Sequence, residues 1–312
     1  MVADGNGSGT QWMGRGTNMD DVFLCGFNAN FASIPTNSDA AAISVGESIL
    51  SWNANFIRIS LSMNSFGGQT YTWNKAGQTP TTYQTLMTNV INTLATGNVY
   101  VLVTLRSHST MVESFAGNEA TYMPTAATDA IYQGIVDSFA TNKNVLFAVT
   151  NEPTGDSATI ATTLAHAVNT IRAEEAKLGV PNHIVSVQGT NWTSDISYYS
   201  SHPINSPNIV YEVHGYPPSP SSYTFANIPV IIGEYGLLSD SNAFFKDIEG
   251  KMISSLAWDF DPYSNCAPDL VNITRNSGNL NAPITPSAWG NVVKAYLENP
   301  GSFNAGVRAV DN

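Results

Sequence analysis

Lysine and arginine are scarce in this chain. There are 12 of them in 312 residues, against 24 aspartates and glutamates, for a net charge of -12. They are spread out and form no basic patch, so the surface repels nucleic acid and anionic membranes, whose phosphates need clustered cations. A neutral or cationic partner fits better. Cysteine is scarcer still, with two residues, too few to define a disulfide framework. No run of 18 apolar residues occurs, so no segment spans a membrane as a helix. The opening MVADGNGSG lacks the basic and apolar regions of a signal peptide. That fits either a mature secreted form behind an added Met or a cytosolic protein; low charge and many Asn, Ser and Thr favour secretion.

Several chemistries lack their motifs. There is no GxxxxGK phosphate loop, no GxGxxG dinucleotide turn, no HExxH or CxxC metal pattern and no GxSxG nucleophile elbow. No cofactor or metal is implied. The five histidines are scattered along the chain.

What is present is a cadence. Short β-branched runs alternate with helical patterns, and runs such as VYVLVTL and VLFAVT are almost continuously apolar, as strands covered on both faces are. The pattern predicts strands over 11–17, 55–60, 99–105, 145–150, 183–188, 209–214, 229–234 and 253–258. It predicts helices over 40–51, 83–94, 127–140, 159–178 and 287–297. Asp156 or Ser157 caps the fourth helix, and Gly179 with Pro181 ends it. Between the sixth and seventh strands there is room for no helix or a single turn. Eight strands at this spacing, 43% hydrophobic content and no linker or repeat predict an α/β fold. It is expected to be a single-domain (β/α)8 TIM barrel, with a core over about 11–298 and a tail over 299–312. Three long loops, 63–80, 107–124 and 259–286, follow strands and so belong to the carboxyl face, where barrel sites assemble.

Polar residues gather where the predicted strands end: Arg58, His108, Asn151, Glu152, His214, Tyr216, Glu234 and Trp258. Barrel closure brings these ends into one cleft. Two carboxylates there suit glycoside hydrolysis, in which one releases a proton to the leaving oxygen and the other attacks or activates water. Each residue also has a plainer role. Arg58 pairs either with a site carboxylate or with a barrel-interior acid such as Glu212. His108 is either a sugar contact or a core histidine, Tyr216 a site or a rim residue, and Asn151 a site residue or a turn residue before Pro153. Asp259 and Asp261 read as solvated loop acids, with Ca2+ or sugar binding as the alternative. Cys25 and Cys266 are either buried thiols or, as neighbours across a closed barrel, a disulfide.

These residues, in this order, resemble glycoside hydrolase family 5 over about residues 12–258. GRGTN from Gly14 looks like the family's first-strand motif, Arg58 its second-strand Arg and His108 its third-strand His. Asn151-Glu152-Pro153 is similar to its Asn-Glu-Pro, His214 and Tyr216 to its His-x-Tyr, Glu234 to its nucleophile and Trp258 to its eighth-strand Trp. The resemblance implies a retaining endo-hydrolase of β-1,4-glucan, with Glu152 as acid/base of raised pKa and Glu234 as nucleophile. Carboxyl groups about 5–5.5 Å apart would follow. It also implies that Asn151 meets the sugar 2-hydroxyl and that Arg58 and Tyr216 orient Glu234. His214 would tune Glu152, and Trp258 and Trp192 would offer aromatic platforms. Tyr71 and Trp73, in a long loop, either extend the groove or pack in the loop's own core. The implied partner is a polysaccharide or oligosaccharide met by a monomer outside the cell. β-Mannan hydrolysis, other β-glycans, transglycosylation and a non-catalytic carbohydrate-binding barrel are the alternatives.

Overall fold

In the computed structural model each predicted apolar run becomes a strand. The structure describes residues 12–19, 38–62, 80–106, 124, 126–263, 267–276 and 278–303. The strands are β1 (Arg15–Met19), β2 (Phe56–Ser62), β3 (Tyr100–Arg106), β4 (Val145–Ala148), β5 (Val185–Gln188), β6 (Ile209–Gly215), β7 (Val230–Tyr235) and β8 (Ser254–Ala257). Every neighbouring pair is parallel, and β8 pairs with β1 to close the barrel in sequence order. The first strand begins four residues later than its sequence pattern predicts, because Trp12 turns inward instead of joining the ladder. Its ring packs on Phe56 at 5.4 Å and Tyr100 at 4.5 Å, within the layer that fills the barrel's lower end.

The helices are α1 (Ser38–Leu50), α2 (Pro80–Leu94), α3 (Asp129–Phe139), α4 (Ser157–Leu178), α5 (Pro220–Tyr223), α6 (Ser241–Lys251) and α7 (Ala288–Glu298). Asp156 caps α4 by accepting from the Thr159 amide at 2.9 Å. Gly179 ends that helix at φ 69, a left-handed conformation that glycine adopts without penalty. The single turn α5 fills the short crossover between β6 and β7. Helix α6 had no counterpart among the predicted helices. Its Asp240 cap and its apolar residues Phe244, Phe245 and Ile248 carry the signal in a segment otherwise rich in polar residues.

Strand alternation divides the core in two. Ile57, Ile59 and Leu61 of β2 face outward and join Val45, Ile49, Val90 and Ile91 of the covering helices in the large shell. Phe56, Leu102, Leu146, Val210, Ile231 and Leu256 face inward and fill the barrel. Each fully buried side chain of this kind contributes roughly 1.5–3 kcal/mol. The inner apolar layer stops below Arg58, and from there upward the barrel interior is polar.

A clasp ties the amino-terminal face. The buried Glu249 of α6 takes Arg15 Nε at 2.6 Å and Nη2 at 2.8 Å, and the Tyr296 hydroxyl of α7 at 2.6 Å. Phe303, just past α7, packs against Phe245 and Tyr296, both at 5.5 Å, so the first residues of the expected tail belong to this end of the core. Glu249→Ala is expected to cost about 3 kcal/mol of unfolding free energy, because it strands a buried hydroxyl and a half-buried guanidinium. A urea melt reads this directly; a loss under about 1 kcal/mol would show that the clasp is not what holds β1 to α6 and α7.

Candidate active site

Arg58 sits at the centre of the carboxyl end, wholly buried. Its Nη1 donates to Asn18 Oδ1 and to Glu234 Oε1, both at 2.8 Å, and its Nη2 donates to Asn151 Oδ1 at 2.6 Å. Its Nε forms an ion pair with Glu212 at 2.9 Å. The two roles open to Arg58 from sequence are therefore both filled, one carboxylate on each side. Asn18 is itself fixed by donating to Gly233 O at 2.9 Å.

Glu234 reaches this cluster through an irregularity in β7. Val213 pairs with Ile232, but His214 pairs with Glu234, so Gly233 is an extra residue in the ladder. In a regular strand, with Ile231 inward and Ile232 outward, Glu234 would point toward the helices. The bulge turns it back to the barrel axis, since one added residue exchanges the faces of all that follow. Glycine is required there: a Cβ on Gly233 would overlap the Glu212 carboxylate. Glu234 Oε2 then accepts from the Tyr216 hydroxyl at 2.7 Å. Tyr216 is 36% exposed, yet its hydroxyl end is enclosed. Burial and the neighbouring Glu234 raise its pKa well above 10, so it remains a donor.

Glu152 stands across from Glu234. It follows β4 at φ 51, and its backbone N–H donates to Gln188 Oε1 at 2.6 Å. Its Oε1 meets His214 Nδ1 at 2.9 Å, while His214 Nδ1 lies 3.5 Å from Glu234 Oε1. One ligand atom from each of Glu152, His214 and Glu234 falls within a 4.8 Å span. Glu234 is nearly buried, while a quarter of the Glu152 side chain is open to solvent.

His214 bridges the acids, with Nε2 2.9 Å from Glu212 Oε1. Burial alone would lower its pKa, but Glu234, Glu152 and Glu212 raise it to about 9. Burial would raise Glu212, but Arg58 and His214, with the Ser186 hydroxyl at 2.6 Å, bring it down to about 2. At neutral pH the imidazole is thus charged, and each ring N–H faces a glutamate oxygen. Glu152, His214 and Glu234 are close enough to share a metal ion, for which the His214 ring would have to give up a proton.

Strain collects on this face. Glu152, Asn191, Trp192, Thr193 and Leu237 all have positive φ and all follow strand ends. Each such non-glycine residue costs on the order of 1–3 kcal/mol. Trp192 is 52% exposed in the turn after β5, and Trp258 is buried directly after β8, its carbonyl accepting from Trp289 Nε1 at 3.1 Å. Asp259 and Asp261 are not the solvated acids expected of a loop. Both are buried, because the chain after β8 folds back, with Phe260 N donating to Asn18 O and Leu270 N to Asp259 O. Asn18, which closes the GRGTN motif, Gln188, which lies in VQGTNW, and Ser186 are further members of the site's frame; for Ser186 the only sequence signal is a polar residue on an inward strand position. His108, Tyr71, Trp73, Cys25 and Cys266 lie outside the described residues.

A family profile described as cellulase (glycosyl hydrolase family 5) matches residues 14–264. Among solved structures, the chain is similar to the catalytic domain of Thermobifida fusca endoglucanase Cel5A. That pair shares 19% identity over 94% of this chain and 93% of that one, with a TM-score of 0.66. A Saccharophagus degradans β-glucanase in complex with cellotetraose has 20% identity, 93% and 88% coverage and a TM-score of 0.65. A Streptomyces thermolilacinus β-mannanase has 18% identity, 95% and 93% coverage and a TM-score of 0.63. At these identities the likeness is one of fold. No curated protein sequence matches the chain.

The charge network sets a pH window. The His214 pKa is raised, so its contribution is complete below its ordinary 6.5 and is lost as pH rises through about 9. The Glu212 pKa is depressed, so its contribution is complete above its ordinary 4.5 and is lost as pH falls toward about 2. Stability is expected to be greatest between about pH 4.5 and 6.5 and to fall by up to roughly 3 kcal/mol toward pH 9. Denaturant melts across pH check this. In His214→Gln the alkaline decline is expected to flatten; an unchanged slope would place its source elsewhere.

Proposed function

The chain belongs to glycosyl hydrolase family 5, and on that premise we propose that it cleaves β-1,4-glucan internally, retaining anomeric configuration, with Glu234 as nucleophile and Glu152 as acid/base. The observation that carries this is the closeness of the two carboxylates, each with an oxygen in one 4.8 Å span about His214. Retaining enzymes hold these groups about 5–5.5 Å apart, and inverting ones keep about 6.5–9.5 Å for a water molecule.

The first step forms a bond from a Glu234 oxygen to the anomeric carbon as the glycosidic C–O bond breaks. Glu152 passes its proton to the departing oxygen. In the second step water attacks the anomeric carbon, Glu152 takes a proton from that water, and Glu234 leaves as a carboxylate. Arg58 and Tyr216 each hold one Glu234 oxygen and so fix its aim. Asn151 Oδ1 is engaged by Arg58, which leaves its NH2 group as the donor for a sugar 2-hydroxyl. Trp258 and Trp192 supply apolar faces for sugar rings on either side of the cleaved bond, and His108 contacts sugar hydroxyls.

Charge count supports Glu152 as the group that begins protonated. Arg58 and His214 contribute two positive charges, and Glu212 and Glu234 two negative ones. A neutral Glu152 leaves these five groups balanced, and an ionised one would leave them with one net negative charge.

Glucan is favoured by the segments VQGTNW and VYEVHGY, and by neighbours named as an endoglucanase and a β-glucanase. The β-mannanase neighbour makes mannan the second reading. A polymer of this size is met outside the cell, which is where this reading puts the protein.

Reducing-end assays on barley β-glucan, galactomannan and xyloglucan are expected to give the highest kcat/KM on β-glucan; a preference for galactomannan would move the assignment to mannan. Proton NMR of early products is expected to show the β anomer first, and an α anomer first would exclude retention. Glu152→Gln and Glu234→Gln are each expected to lower turnover of the polysaccharide about 10²-fold or more. Normal turnover in either variant removes that residue from the mechanism.

A further inference from the structure

Gln188 ends β5 and is completely buried. Its Oε1 accepts from two groups, the Glu152 backbone N–H at 2.6 Å and the Thr193 hydroxyl at 2.8 Å. A backbone N–H only donates, so the amide can face Glu152 in one orientation alone, oxygen first. Its Nε2 has no partner among the described residues, so nothing else there competes for that orientation. The Gln188 carbonyl accepts from the Tyr199 hydroxyl at 2.9 Å, which anchors the residue from behind.

The two groups it holds are both strained. Glu152 is a non-glycine residue at φ 51. Thr193 is the last of three consecutive left-handed residues, after Asn191 at φ 55 and Trp192 at φ 51. Such conformations persist only where the surroundings impose them. Thr190 and Asp195 exchange backbone hydrogen bonds that close the turn, and Thr193 O accepts from the His214 N–H at 3.0 Å. The Thr190 hydroxyl donates to Gly155 O at 2.6 Å, a second tie between this turn and the Glu152 segment.

The geometry points to Gln188 as a positioning residue whose one amide oxygen sets the acid/base Glu152 and seats the Trp192 turn together. This rests on the proposed role of Glu152. Gln188 has no exposed surface with which to meet substrate. It acts through the backbone of the residue that donates the proton, so its loss falls on reactions that need that proton.

The test is a ratio of two kcat/KM values. One is for whichever polysaccharide the wild type cleaves. The other is for the 2,4-dinitrophenyl glycoside of the matching disaccharide, whose phenolate leaves without protonation. In Gln188→Met, which keeps length and removes the acceptor, kcat/KM on the polysaccharide is expected to fall about 30-fold or more and on the dinitrophenyl glycoside less than about 3-fold. Thr193→Val removes one donor and keeps the side-chain shape; it is expected to shift the same ratio in the same direction by about 3-fold. Equal losses on both substrates in Gln188→Met would mean a merely structural role and overturn the inference. Should Gln188→Met fail to fold, an unchanged ratio in Thr193→Val overturns it instead. A wild type that cleaves neither substrate overturns the functional reading, and this inference with it. A wild type that cleaves both, with variants whose ratio stays fixed, overturns this inference alone.

Discussion

A guanidinium sealed from water is tolerated only where all its faces meet partners, and Arg58 meets this demand with four residues from four other strands or strand ends. Asn18, Asn151, Glu212 and Glu234 come from β1, from the end of β4, from β6 and from β7. Desolvating such a charge costs several kcal/mol before compensation. The planar fork of arginine can return that cost to several partners at once, where a lysine ammonium would serve one point. The barrel therefore closes around a cation whose needs dictate where the carboxylates stand. The apolar layer beneath, from Trp12 and Phe56 up to Leu256, gives the cation a floor that admits no alternative partner.

Two local departures from regular structure bring the acids together. Glu234 would face the helices if β7 were a plain strand, and the extra Gly233 brings it to Arg58 while leaving room for Glu212. Glu152 reaches His214 from a backbone at positive φ, with its N–H donating to Gln188. One acid is aimed by a bulge and the other by a strained residue. Both devices are local in the chain, and both are stabilised by side chains far away in it.

This separates what sequence discloses from what it conceals. The eight strands were legible because a parallel strand covered on both faces needs an unbroken apolar run, and such runs are conspicuous. The residues at their ends were legible because closure makes every strand end a neighbour of every other. The bulge was not: VIIGEYG reads as an uninterrupted strand, with an interior glycine as its only hint. Nor was the burial of Asp259 and Asp261, since an acidic pair beyond a strand looks like solvated loop until the chain is seen to return to Asn18 and Leu270. Helix α6 escaped because its apolar stripe is narrow, with Phe244, Phe245 and Ile248 between polar residues. Each miss is a tertiary fact, a partner supplied by a distant segment.

The proposed reaction has a consequence for this buried cluster that its geometry accommodates. On that proposal Glu234 begins as the carboxylate and Glu152 as the acid. In the covalent intermediate Glu234 is an uncharged ester and Glu152 has given its proton away, so the negative charge has crossed to the other side. With Arg58 and His214 as cations and Glu212 and one of the two glutamates as anions, the five groups balance in both states. The charge moves only the width of the site, and His214 stands along that path, 3.5 Å from Glu234 and 2.9 Å from Glu152 through the same nitrogen. An imidazolium so placed attracts the carboxylate in either position without itself moving. Its other nitrogen is fixed by Glu212, an acid whose pKa Arg58 and His214 hold well below the usual carboxylate range. A site without Glu212 would hold His214 less firmly charged, and the transfer of charge between the two glutamates would then have to be compensated by solvent, which must reorganise at each step.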